Sequence, residues 1–409
     1  MTEDAPAGGW RRFAIAAYGP PFLASIGFGA VTPLIALSAL ALGASVGLSA
    51  LIAGLTAIAQ LLSDLPASWI ATRLGEKRAI IAACLWDAVF MTVAFSAFSL
   101  PVLCVAVFAI GISGAVFGLA RHTYITEAAP VRFRARALST LGGIHRIGFF
   151  IGPLAGSAII ALAGLTAAYA FAAVMCLVAA GVTALLPDLP ADVRERRRTP
   201  EGAPRLGAVL RDHARIFALL GTGVLALALV RAVRQTILPL WCESIGMTPS
   251  ATSLIFALSM AVDMSLFFVG GSIMDRFGRF WVATPSMIVL GGGLIALAFA
   301  HTTVTVALVA ILLGLGNGIG SGIIMTLGSD ASPAAGRPHF LAGWRLMGDL
   351  GGTLGPLALS AITTLASLAA ASVVLGIVSF AGAAWLGYGI THAGSAPQRG
   401  ADRLPRSAP

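Results

Sequence analysis

An all-α integral membrane architecture follows from three observations, with twelve transmembrane helices in two six-helix bundles related by a pseudo-two-fold axis normal to the membrane. Apolar residues make up 58% of the chain and charged residues only 11%, where a soluble domain carries about 25% charged residues. The apolar residues are gathered into long runs, each near the roughly 20 residues that cross a hydrocarbon core of about 30 Å. The chain also matches itself at an offset of 203 residues.

Only helices or closed barrels satisfy their backbone in lipid. The runs are rich in Ala, Leu, Val and Gly and lack the alternation of a barrel strand, so they read as helices. Six spans are placed at 13–37, 48–71, 79–99, 102–126, 137–161 and 165–186. Six more follow at 216–240, 250–274, 280–300, 304–326, 340–363 and 368–390. The expected division is a first bundle over 1–187, a cytoplasmic linker over 188–215, a second bundle over 216–391 and a disordered cytoplasmic tail over 392–409. The first apolar stretch is too long for a signal peptide. Cys84, Cys104, Cys176 and Cys242 fall in spans or at a span edge without metal-type spacing, and read as small apolar residues rather than a disulfide framework.

The net charge of +9 is a topology signal rather than a nucleic-acid footprint. Arg11 and Arg12 precede the first span. Arg73, Lys77 and Arg78 follow the second, Arg132, Arg134 and Arg136 the fourth, and seven arginines from Arg194 to Arg215 the sixth. Arg276 and Arg279 follow the eighth span, Arg337 the tenth, and Arg399, Arg403 and Arg406 close the chain. The loops on the other side carry no Lys or Arg. By the positive-inside rule both termini are cytoplasmic in a plasma (inner) membrane.

The repeat is carried by residues that need a structural reason. At the offset of 203, Gly43 meets Gly246, Arg73 and Gly75 meet Arg276 and Gly278, and Gly111 meets Gly314. Pro130 meets Pro333, Arg134 meets Arg337, and Gly152-Pro153 meets Gly355-Pro356. Glu127 with Asp330 and Ser45 with Thr248 are conservative pairs. An even number of spans per half makes these parallel repeats.

These motifs resemble the major facilitator superfamily over nearly the whole chain. Its loop signature, G-x-x-x-D-R-x-G-R, is matched in full by Gly271, Asp275, Arg276, Gly278 and Arg279. The first copy keeps Arg73, Gly75 and the basic end at Arg78 but has Ser68 and Thr72 for the Gly and Asp. The resemblance implies that Asp275 faces a helix N-terminus in the other half and latches the cytoplasmic side. Glu127 with Arg134, and Asp330 with Arg337, are similar to the acid–arginine pairs of sugar-porter relatives and imply a cytoplasmic charge network. Gly148, Gly152, Pro153 and Gly156 resemble the exporter motif G-x-x-x-G-P-x-x-G-G, with Ser157 in the last place. One smooth glycine face suits close helix approach, here read as a leak-proof contact between halves or as plain helix packing. The arginine that proton-coupled drug exporters hold in the fourth span is Val107 here.

Ionisable residues inside spans are costly and mark function by default. Asp64, Arg121, His145, Arg146, Arg231, Arg234, Asp263, Arg345 and Asp349 all fall on helices that line or shape the cavity in the family fold. Asp64 and Arg146 sit at comparable depth and are expected to meet within the first half, either as a proton-exchanging carboxylate with its counter-ion or as a permanent ion pair. Asp64-Leu-Pro66-Ala67 also resembles an exporter pattern, D-x-P-A-G. Asp87, on outer span three, is expected to form a structural pair or to snorkel. Arginines outnumber aspartates, which favours anionic, zwitterionic or neutral hydrogen-bonding cargo.

The resemblance implies a monomeric secondary transporter that exports a small organic molecule, drug-like or metabolite, by proton antiport. The alternatives are an importer or facilitator of a small anion or sugar, and a non-transporting sensor or scaffold. No nucleophile–base constellation, phosphate loop or metal spacing is present in the sequence. Neither enzymatic activity, a cofactor nor a metal is expected, and the partners are the substrate, protons and the bilayer.

Overall fold

The computed structural model describes residues 7–128, 133–185, 207, 211–333 and 336–393. The predicted linker falls largely outside these, as does the tail beyond 393. The first half comprises α1 (7–41), α2 (Val46–Leu74), α3 (Glu76–Phe95), α4 (Leu100–Ala128), α5 (Arg134–Ala163) and α6 (Ala167–Ala184). The second comprises α7 (Ala214–Ser244), α8 (Pro249–Phe277), α9 (Phe280–Leu297), α10 (Thr303–Ala331), α11 (Arg337–Leu365) and α12 (Leu368–Ala393). Eleven of them are long and apolar enough to cross a membrane. The helix outside that set is α11, which carries Arg337, Arg345 and Asp349.

Local sequence sets the helix ends. Ser45 and Thr248 accept hydrogen bonds from Leu48 N and Ala251 N, capping α2 and α8 identically in the two halves. Gly75 and Gly278 end the same two helices at φ of 78° and 92°, a conformation that costs a glycine little. Two spans are broken. In α1, Pro33 has no N–H to continue the ladder, and the helix restarts at Leu34. In α10, Gly320 to Gly322 separate Thr303–Ile319 from Ile323–Ala331, with Gly322 left-handed at φ 80°. α7 opens with a π-turn at Phe217–Gly221.

The repeat is a packing repeat. Within the first half α1 packs on α5 and α6, α4 on α2 and α3, and α3 on α6; the second half repeats every pair six helices on. The contacts correspond residue by residue. A Cβ on Gly111 would strike Thr56 and Ala59, and one on Gly314 would strike Ser259 and Val262. Gly152 lies against Ile26, Gly29 and Ala30, while Gly355 lies against Leu229, Ala232 and Val233. Each member of these sets is 203 residues from its mate.

The glycine face of α5 is therefore not a contact between halves, as one reading of the exporter motif had it. Gly148, Gly152 and Gly156 all lie on α1 of their own half, so plain helix packing accounts for them. A Gly152→Ala substitution places its Cβ 2.6 Å from Ala30 N and is expected to cost about 1–3 kcal/mol by overpacking. Gly114→Ala, with nothing within 4 Å, is expected to leave stability unchanged or raise it by up to about 1 kcal/mol, since alanine is the better helix former. Thermal unfolding in detergent compares the two, and equal effects would remove the close approach as the reason for glycine.

The halves meet along α2 with α11 and α5 with α8. At the end remote from the basic loops, Gly47 touches Ser360 and Thr364, Gly54 touches Pro356, and Ser157 and Ser250 exchange hydrogen bonds with an Oγ–Oγ distance of 3.0 Å. Thr353 donates to the Ala57 carbonyl at 3.3 Å a little deeper. Toward the basic end Trp69, Arg73, Phe268 and Phe277 are exposed.

Candidate functional site

Two clusters of ionisable side chains sit on this seam, each at the middle depth of its helices. On the α5–α8 side, Arg146 donates from Nη1 to Asp263 Oδ1 in an ion pair that joins the two halves. Asn317 Nδ2, from α10, donates to the other carboxylate oxygen at 2.5 Å. Arg234 Nη2, from α7, lies 3.6 Å from that same oxygen, and its Nη1 donates to Ser259 Oγ at 3.0 Å. One turn earlier on α7, Arg231 donates to the Gly320 carbonyl at the break in α10, at 2.6 Å. Ser286 donates to Gly316 O at 2.6 Å, so side chains reinforce carbonyls at the break whose backbone bonds are long, from Gly320 N at 3.4 Å and Ile323 N at 3.3 Å. Asp263 and Arg234 are buried, while the Arg146 side chain keeps 23% exposure and its guanidinium lies 5.0 Å from the Phe267 ring.

On the α2–α11 side, Arg345 stands between two carboxylates. Its Nη2 is 3.6 Å from Asp64 Oδ1, across the halves, and its Nε is 3.3 Å from Asp349 Oδ2. Asp64 and Asp349 are themselves within side-chain hydrogen-bonding reach. All three are partly exposed. Arg121, on α4, is close enough to Arg345 to repel it and lies 5.5 Å from the Phe117 ring. His145 Nδ1 is hydrogen-bonded to Ser25 Oγ at 2.8 Å and its ring packs on Phe149.

The expected meeting of Asp64 with Arg146 does not occur. Similar depth fixes height along the bundle but not azimuth, and the two face different partner helices. Asp87 does not snorkel. It is buried and takes a hydrogen bond from Ser113 of α4. Asn317 is not among the residues the sequence marks by charge; its signal there is an amide in the apolar, glycine-rich run 313–322.

Most of the loop motif lies at the exposed end. Asp275 is exposed, and its described electrostatic partner is Arg279 of its own half rather than a helix of the other. Arg279 Nε donates to Asp330 at 2.7 Å, and that bond raises the guanidinium further above its ordinary value. Arg337 instead donates to Ser329 Oγ at 2.8 Å, so Asp330 pairs with the loop arginine and not with the residue seven places on. Arg73 lies over Trp69 and Arg276 over Phe277, while Arg78 is exposed and Gly271 has open space beside it. Glu127 is partly buried, and the Arg134 side chain lies outside the described residues. Since both partners of Arg279–Asp330 are over a third exposed, Asp330→Asn is expected to cost less than about 1 kcal/mol. Thermal unfolding checks this, and a loss of several kcal/mol would make the pair structural.

A sequence profile described as Major Facilitator Superfamily matches residues 21–335 and again 220–408. The chain belongs to the major facilitator superfamily. A search of curated proteins by sequence finds no match. Among solved structures, a POT family transporter in complex with 5-aminolevulinic acid aligns with TM-score 0.74 over 94% of this chain and 96% of its own, at 11% identity. A POT family transporter in complex with a thioalcohol-conjugated peptide gives 0.76 over 94% and 96%, also at 11%. The human organic anion transporter MFSD10 (TETRAN) gives 0.66 over 93% and 100%, at 15%. At such identities the likeness is one of fold. In this chain the pseudo-symmetric positions Arg146 and Asp349, 203 residues apart, carry opposite charges. The scaffold repeats, while the chemistry of the two seam clusters does not.

Proposed function

We propose that this protein is a secondary active transporter that exports a small organic molecule in exchange for protons, by rocking its two halves about the seam. The observation that carries the reading is the placement of both charge clusters across the interface that must part. Intramembrane charges at such a position are expensive and mark a transport path. We assign the proton to Asp64 and Asp349. Two carboxylates from opposite halves sharing one guanidinium form a coupled pair that can take up and release a single proton as the halves close and part. The arginine-rich α5–α8 cluster is the substrate side. Export rests on the sequence likeness of Gly148, Gly152, Pro153 and Gly156 to the exporter motif alone, since their packing on α1 sets no direction. One solved neighbour is in complex with 5-aminolevulinic acid and another is named an organic anion transporter, which is consistent with a polar organic cargo.

The test is flux in proteoliposomes with an imposed pH gradient, using a panel of fluorescent neutral, anionic and cationic amphiphiles. Exchange predicts substrate movement against the proton gradient, dissipation by an uncoupler, and loss of coupling in Asp64→Asn and Asp349→Asn. Substrate moving with the proton would replace export by the import reading. No flux for any member of the panel would favour a sensor or scaffold.

A further inference from the structure

The α5–α8 cluster is unbalanced. Arg146 and Arg234 contact one carboxylate, Asp263, and Arg231 lies within its electrostatic reach. A buried charge needs a partner, because a bare one costs several kcal/mol of solvation. Asp263 takes one hydrogen bond from Arg146, through Nη1, and lies 3.6 Å from Arg234 Nη2. The only hydrogen bond described for Arg231 goes to an uncharged carbonyl, and the Nε atoms of both Arg231 and Arg234 are buried without a hydrogen-bond partner. Arginine presents its donors as a planar fork suited to the oxygens of a carboxylate, sulfonate or phosphate.

Asp263 has enough partners to give Arg146 up. Without it the carboxylate still has Arg234 at 3.6 Å and Asn317 at 2.5 Å. Arg146 keeps 23% exposure where Asp263 and Arg234 are buried, and it is the one contributed by the other half. Its neighbour Phe267, and Phe117 beside Arg121, place aromatic faces near the guanidinium groups.

We infer that the substrate carries an anionic group which binds Arg146 and Arg231, displaces Asp263 from Arg146, and so unlocks the α5–α8 seam. This rests on the transport reading above and adds to it the class of cargo and the way loading is sensed. The empty carrier is held by the Arg146–Asp263 pair. The loaded carrier has two anions for three arginines, and the pair that tied the halves is open. Competition between an internal carboxylate and the cargo for one guanidinium makes the two states exclusive.

The experiment uses full-length protein in detergent micelles and three probes with one ring and different charge: benzenesulfonate, benzenesulfonamide and benzyltrimethylammonium. Benzenesulfonate stays anionic at all working pH values. It is expected to shift thermal unfolding saturably, with the other two inactive. Asp263→Asn removes the competitor and is expected to tighten benzenesulfonate about ten-fold. Arg231→Gln leaves the Arg146–Asp263 pair in place and is expected to weaken it about ten-fold. Equal response to all three probes, or unchanged affinity in Arg231→Gln, overturns the inference even if Asp263→Asn does not fold. Flux of the same probes in proteoliposomes separates the two claims. Gradient-driven movement of benzyltrimethylammonium without benzenesulfonate binding keeps the transporter and overturns the anion site. Charge-selective benzenesulfonate binding without flux of any probe does the reverse.

Discussion

Arg146→Gln is expected to reduce transport to background and to destabilise the protein by about 3–5 kcal/mol, the cost of leaving a buried carboxylate without its main partner. The lower end applies, because Arg234 and Asn317 remain on Asp263 and Arg146 itself is not fully buried. Asp263→Asn leaves Arg146, Arg231 and Arg234 without an acid among them. The double variant Arg146→Gln/Asp263→Asn is expected to lose less than the sum of the singles, by about 1–3 kcal/mol of coupling. Its flux is expected to stay at background, because the switch has no members left. Thermal unfolding and proteoliposome flux, measured on all four proteins, give both numbers. Additive stabilities would mean that the two side chains do not act as a pair.

A disulfide between cysteines placed at Ser157 and Ser250 is expected to stop transport by more than ten-fold and to release it on reduction. These hydroxyls lie 3.0 Å apart across the halves at the end remote from the basic loops, so the substitution asks for little backbone movement. Rocking requires that contact to part once in each cycle, and a covalent bond forbids it. Cys84, Cys104, Cys176 and Cys242 are free thiols, so they are replaced first. Full-speed flux through a fully cross-linked protein would sink alternating access at this seam.

The scaffold was legible because its markers are residues with steric causes. Gly111, Gly152, Gly314 and Gly355 stand where a Cβ would strike a neighbouring helix, and Ser45 and Thr248 stand where two helices need the same cap. Such residues align even when Ala and Leu give no signal. The charges were legible for the same reason, since lipid makes each one costly. Their partners were not. Sequence gives the depth of Asp64 and Arg146 on their own helices, yet the direction each faces depends on how α2 and α5 meet α11 and α8. The α5 glycines misled in the same way: a smooth face says that something comes close, and only the packing shows that it is α1. Asn317 escaped notice because an amide in a span is a weaker anomaly than a charge.

The break in α10 turns its last nine residues, Ile323–Ala331, into a lever arm. At about 1.5 Å per residue the arm is about 13 Å long, so a swing of about 10° at the pivot moves its tip by about 2 Å. The tip carries Asp330, whose bond to Arg279 spans 2.7 Å, and that displacement is enough to part them. The pivot is gripped by Arg231 through the Gly320 carbonyl. A change in that grip is expected to reach the ion pair at the basic face through this segment, which Trp344 of α11 also holds by donating to the Ile324 carbonyl at 2.8 Å.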